Sequence, residues 1–206
     1  MSAALEQLRR HPAIWRREKP PTSALSTGFP ALDAVLPDAG WSMGALTEIL
    51  APREGVGELR LVMPALARLS ARGRWLAWVG PPYVPYAPVL AARGIVLSRI
   101  LWVRSQNTVQ QLWSAEQALR SGACAAVLTW PTRVPQRRLR RLQLAAERGG
   151  AWALLFHRET PPGDGSPAAL RLRVVAADPP GDNRLAVQVL KCRGRPGARV
   201  EIALGE

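Results

Sequence analysis

The sequence predicts an α/β domain, a mostly parallel sheet flanked by helices with an antiparallel β extension at its C-terminal side. Three observations carry that expectation. Five short apolar runs, at 45–50, 75–79, 100–103, 125–130 and 151–156, read as strands buried on both faces. Segments with helical spacing of apolar residues alternate with them, at 59–72, 108–120 and 135–148. Glycines and prolines punctuate the joints. With 206 residues and 48% hydrophobic content the chain can bury one such core. Residues 25–206 are therefore expected to form a single domain, preceded by a helical arm and linker over 1–24.

In the arm, Leu5, Leu8 and Trp15 share an apolar face beside Arg9, Arg10, Arg16 and Arg17. Lys19-Pro20-Pro21-Thr22 then stops the helix and stiffens the path. Such an arm either folds back on the domain or docks on another chain. The stretch 44–60 follows, reading strand, glycine loop, helix, which is the layout of a phosphate-binding loop. Its chemistry is missing. That loop needs two glycines, then Lys for the phosphates and Ser or Thr for magnesium. Position 51 is Ala, Val56 takes the second glycine place, and Gly57 and Glu58 stand where the Lys and the hydroxyl belong. Shifted by one, Glu58 stands at the lysine. Ala51, Arg53, Glu54, Gly55, Val56, Gly57 and Glu58 thus read as a degenerate loop with no cofactor and no metal. Glu54 and Glu58 are expected to be free for surface or partner contacts.

The helix at 59–72 contains Pro64, early enough to be tolerated. After the strand at 75–79 comes Gly80-Pro81-Pro82-Tyr83, and no carboxylate occurs between Glu58 and Glu116, so no general base is at hand. The strand at 125–130 ends on Trp130-Pro131. The helix at 135–148 is the most basic element; Leu139, Leu142 and Ala146 give it a core face and leave Arg137, Arg138, Arg140 and Arg141 largely outward. Residues 157–167 read as a flexible loop. Three β segments, at 170–177, 185–192 and 199–204, are expected as the antiparallel extension. Tryptophans in strands should pack in the core, whereas Trp15 and Trp41 are candidate interface anchors.

The net charge of +13 and pI near 11.5 favour polyanions or acidic proteins as partners. All basic residues but Lys19 and Lys191 are arginine. Cys124 and Cys192, with only His11 and His157 beside them, make no metal set and read as buried free thiols. No apolar run reaches the length of a membrane span, and the N-terminus lacks the apolar core of a signal peptide, so a cytoplasmic location is expected.

Ser26-Thr27-Gly28, the Ala31-Leu32-Asp33 helix, Gly40, Met43-Gly44 and the strand through Glu48-Ile49 form the lead-in to the loop. In order and spacing this lead-in resembles that of RecA-type recombinases. The resemblance runs over 26–202 and implies a RecA-like core. It also implies that Trp130 replaces the Walker-B aspartate, that Pro82 replaces the catalytic glutamate, and that the chain is no ATPase. Two groups share such a shrunken core, the translesion-synthesis protein ImuA and the division inhibitor SulA. Pro81-Pro82-Tyr83, the Gly55–Leu59 loop and the basic helix look more like ImuA. That likeness implies a non-catalytic adaptor of SOS-induced mutagenesis. Its partners would be an ImuB-type Y-family polymerase relative and, indirectly, an error-prone replicative-type polymerase, with RecA possible through the Leu5, Leu8 and Trp15 arm. DNA or an acidic partner would meet Arg137, Arg138, Arg140, Arg141, Arg158, Lys191, Arg193 and Arg195. The alternative is a SulA-like inhibitor that sequesters FtsZ.

Overall fold

A computed structural model describes residues 24–158, 165–177, 183–193 and 196–205. The arm, with Leu5, Leu8 and Trp15, lies outside the described residues, as does Arg195.

The domain begins with a two-stranded antiparallel ribbon, β1 (Ala24–Leu25) against β2 (Trp41–Ser42). Between them the Ser-Thr-Gly turn is tied to helix α1 (Pro30–Asp33): Asp33 accepts from the Ser26 hydroxyl at 2.7 Å and the Thr27 N–H at 2.8 Å. The ribbon buries Trp41 completely, its ring 5.0 Å from that of Trp152. Trp41 is therefore a core residue and no interface anchor; the short pairing with β1 carries it under the sheet.

Strands β3 (Leu46–Ala51), β4 (Trp75–Val79), β5 (Ile100–Val103), β6 (Cys124–Thr129), β7 (Trp152–Arg158) and β8 (Leu170–Ala176) are parallel. β9 (Arg184–Lys191) and β10 (Arg199–Ala203) continue the sheet antiparallel, and the order is β10-β9-β8-β3-β7-β6-β4-β5. The first of the three expected antiparallel segments thus belongs to the parallel set, with Thr47 opposite Leu170. The connection after β7 is long enough to cross over and return in the same direction beside β3, which a hairpin cannot do. β7 also runs two residues beyond the expected strand, so His157 and Arg158 are strand residues rather than loop.

Helices cover both faces. On one, Leu61, Val62, Leu66 and Leu69 of α2 (Glu58–Ala71) and Leu90 of α3 (Ala87–Ala92) pack with Ile49, Leu76, Leu128 and Leu154. On the other, Leu112, Ala115 and Leu119 of α4 (Thr108–Arg120) and Leu139, Leu142 and Ala146 of α5 (Gln136–Gly149) pack with Leu46, Val79, Val127 and Leu155. Asn107 caps α4 by accepting from the Gln110 N–H at 3.0 Å. Two buried glutamines find partners: Gln143 accepts from the Leu46 N–H at 2.9 Å, and Gln111 donates to the carbonyls of Val79 and Gly80, each at 3.1 Å. Not every strand tryptophan is inside. Trp78 and Trp152 are buried, but Trp75 and Trp102 are each 39% exposed, because they lie on or beside β5, the last strand of the sheet. Cys124 is buried and Cys192 half-buried; both thiols are free, and burial pushes the Cys124 thiol above its ordinary pKa.

Candidate functional site

The carboxyl ends of β3, β6 and β7 converge with the glycine loop on one cleft of about 230 Å³. Ala51, Arg53, Glu54 and Glu58 line it from the loop side, Trp130, Pro131 and Thr132 from the end of β6, and Phe156, His157 and Arg158 from β7. A second cleft, of about 500 Å³, joins Gly55, Gly57 and Glu58 to Trp78, Trp130 and the Pro81–Tyr86 segment, Pro82 included. The loop, Trp130 and Pro82 are therefore neighbours.

What fills the loop was not foreseen. Glu58 is the first residue of α2 and only 8% exposed, and its carboxylate turns back into the loop. One oxygen accepts from the Gly55 N–H at 2.9 Å and the other from the Gly57 N–H at 3.0 Å. A phosphate loop offers such N–H groups, at a helix N-terminus, to its ligand; here the helix supplies the anion itself. Gly55 and Gly57 have φ of 81° and 109°, a region in which a side chain is strained. A Cβ at Gly57 would also press on Leu185 and Leu204 at 3.0 Å. Glu58 is thus no free surface contact. Glu54 remains exposed, and Val56 leans on the core. Replacing Glu58 by alanine strands two partly buried N–H groups. The expected loss is about 1–3 kcal/mol of stability in urea melts, with Glu58→Gln milder because it retains one acceptor.

The place of Trp130 is equally closed to ion chemistry. Its ring stacks on Phe156 at 4.9 Å and 11°, and tilts against Trp78 at 5.7 Å. Such contacts add packing energy and offer no oxygen to a cation. No group of His, Cys, Asp and Glu able to hold a metal occurs among the described residues.

The basic residues are divided among several places. Arg137 and Arg140 are exposed on α5 and Arg138 is half-buried. Arg141 is engaged instead: its Nε and Nη2 each lie 2.9 Å from the carboxylate of Glu116, a buried residue of α4 that Arg120 also approaches at 3.4 Å. Arg141 is therefore a tie between helices rather than a free outward charge. Arg158 lines the loop cleft, whereas Arg193 lines another with Pro37, Asp38 and Leu170. Lys191 is exposed and donates to the Ser166 carbonyl.

Beside the cleft lies a cluster that composition and spacing did not reveal. Glu48, 1% exposed on β3, sits 2.9 Å from Arg171 Nε and 3.3 Å from His157 Nε2, and accepts from the Ser166 hydroxyl at 2.5 Å. The only advance signal was an acid in the middle of an apolar strand.

The comparisons with known proteins bear on this geometry. A family model described as "Cell division inhibitor SulA" matches residues 44–153, which hold the loop and the β3 and β6 sides of the cleft but stop before Phe156, His157 and Arg158 of β7. Protein ImuA of Caulobacter vibrioides (strain NA1000 / CB15N) is 30% identical over 200 residues, covering 86% of this chain and 82% of the relative. Cell division inhibitor SulA of Yersinia pestis (strain Pestoides F) is 27% identical over 137 residues, covering 66% of this chain and 82% of the relative. The chain thus matches both groups, and it belongs to the ImuA/SulA family.

Proposed function

We propose that this chain is a non-catalytic adaptor of SOS-induced translesion synthesis, built on a degenerate RecA-like core and working in the cytoplasm. The observation that carries the reading is the extent of the ImuA match, 86% of the chain against 66% for SulA. The site agrees with it. A loop whose Gly55 and Gly57 N–H groups already hold Glu58, beside an aromatic stack at Trp130, does not offer those N–H groups to a phosphate. The partners are an ImuB-type Y-family polymerase relative and, through it, an error-prone replicative-type polymerase; RecA is a further partner of the N-terminal arm. The test is binding of the purified chain to each partner by calorimetry. Binding to an ImuB-type protein supports the reading, and its absence with retained binding to FtsZ overturns it.

The SulA match over 44–153 favours one second reading, an inhibitor that sequesters FtsZ. FtsZ polymerisation followed by light scattering separates the two, since an adaptor leaves filament formation unchanged.

Direct DNA contact, if the adaptor makes it, falls to Arg137, Arg138 and Arg140, because Arg141 is spent on Glu116. The log K against log salt slope is expected to shrink by about 1 for each arginine replaced by alanine. Binding insensitive to salt and to the triple variant would assign this helix face to an acidic protein instead.

A further inference from the structure

One side of the sheet is dressed unlike the rest. Among the described residues, every large exposed apolar side chain but Leu144 falls between Trp75 and Trp113. Two of them, Leu101 and Trp102, lie on β5, which pairs with β4 on one side and with no described strand on the other. Val103 gives its carbonyl to the Gly80 N–H at 2.9 Å, so by the alternation of a parallel ladder Ile100 and Trp102 turn their main-chain groups outward. Leu101 stands in register with Ala77 and Trp102 with Trp78, so the strand carries an exposed apolar side chain on each face.

Exposed, apolar edge strands invite pairing, and proteins usually blunt them with charge or proline. Here the charge has one sign. From 59 to 115 there are seven arginines and no Asp or Glu. Two flank the strand: the Arg99 guanidinium lies 5.4 Å over the Trp75 ring, and that of Arg104 lies 4.8 Å over Trp102. A second copy laid along β5 would bring arginine to arginine, and like charges facing each other destabilise a ladder. The chain's own segment 1–23 is basic as well, with Arg9, Arg10, Arg16, Arg17 and Lys19 against Glu6 and Glu18. Nucleic acid would want open ring faces for stacking. Both exposed tryptophans on β4 and β5 already carry an arginine, and the other exposed apolar residue of β5, Leu101, is aliphatic; the exposed rings of Tyr83, Tyr86 and Trp113 lie off the strand.

We infer that β5 receives an extended, acidic and apolar segment of another protein as an added strand. Ile100 and Trp102 supply the main-chain pairing, Leu101 and Trp102 take its apolar side chains, and Arg99 and Arg104 take its carboxylates. This goes beyond the adaptor reading and holds for whichever protein carries the segment.

The probe is a fluorescein-labelled peptide of about ten residues alternating glutamate with valine, set against the same peptide with lysine for glutamate. Both are titrated into the full chain by anisotropy, with amide hydrogen exchange read at Ile100 and Trp102. The glutamate peptide is expected to bind and slow exchange at those two amides, while the lysine peptide does neither. The Arg99→Glu/Arg104→Glu variant should reverse the preference, by about tenfold for each peptide. Trp102→Pro, a change an edge position tolerates, should abolish binding with the circular dichroism unchanged. Equal binding of both peptides, or no binding of the glutamate peptide, overturns the inference. Three further outcomes replace it. Oligothymidylate binding that is lost in Trp102→Ala assigns the edge to nucleic acid. Protection that grows with protein concentration assigns it to a second copy. Protection that is present at every concentration without peptide assigns it to the chain's own N-terminal segment.

Discussion

Glu48→Ala is expected to lower the unfolding free energy by about 3–5 kcal/mol, the cost of removing one partner from a buried ion pair. The side chains it would abandon are themselves enclosed, Arg171 at 12% and His157 at 11% exposure. Neither can turn to water without breaking into the packing between β3, β7 and β8. Burial by itself raises the Glu48 carboxyl. Hydrogen bonds from His157 and Ser166 and the charge of Arg171 outweigh it, and the pKa is held below the ordinary 4.5. The direction fixes the pH dependence. A carboxyl with a lower pKa folded than unfolded contributes stability that is fully present above its unfolded value. That contribution drains away as the pH falls through the folded value. Urea midpoints of the native chain should therefore fall in acid, and the Glu48→Gln variant should show a flatter acid limb. A native-like midpoint for Glu48→Ala at neutral pH would remove the ion cluster from the list of features that hold the sheet together.

Gly149→Ala is expected to cost about 3 kcal/mol or more, at the upper end of what overpacking does. A methyl group there would sit 1.8 Å from the Leu119 carbonyl oxygen, main chain against main chain, where α4 and α5 meet. No rotamer relieves such a contact; the helices must part. Since Arg141 and Glu116 join the same two helices, the shift would also pull on that ion pair. Gly150→Ala is the control. Gly150 has φ of 62° but nothing within 4 Å of its Cβ. Only the left-handed strain should register there, about 1 kcal/mol. Thermal melts of the two variants side by side read the difference, and equal losses would mean that the α4–α5 approach is looser than it looks.

Much of the framework was legible because parallel strands buried on both faces are apolar throughout, and runs such as Ala126-Val127-Leu128 admit few other readings. The direction of β8 was not. Its alternation, Leu170, Leu172 and Val174 inside against Arg171 and Arg173, is the same for either direction, and only the crossover after β7 decides. Strand order likewise hides from a local reading, so Trp102 looked like core until β5 proved to be the edge. The make-up of the 51–58 loop could be read residue by residue. The Glu58 hydrogen bonds could not, since they depend on two glycines adopting positive φ at the same time. Trp41 was misjudged because a two-residue ribbon leaves almost no trace in composition.

Glu58 in its loop has one more consequence. A diffusible anion comes and goes, and proteins that carry one can use its departure as a signal. A carboxylate tethered one residue from the Gly57 N–H it satisfies is present at a very high effective concentration and is never released into solvent as a separate molecule. Should the Glu58 side chain swing out, the loop is refilled from its own helix and needs no ligand from solution. This loop is a clasp without a release.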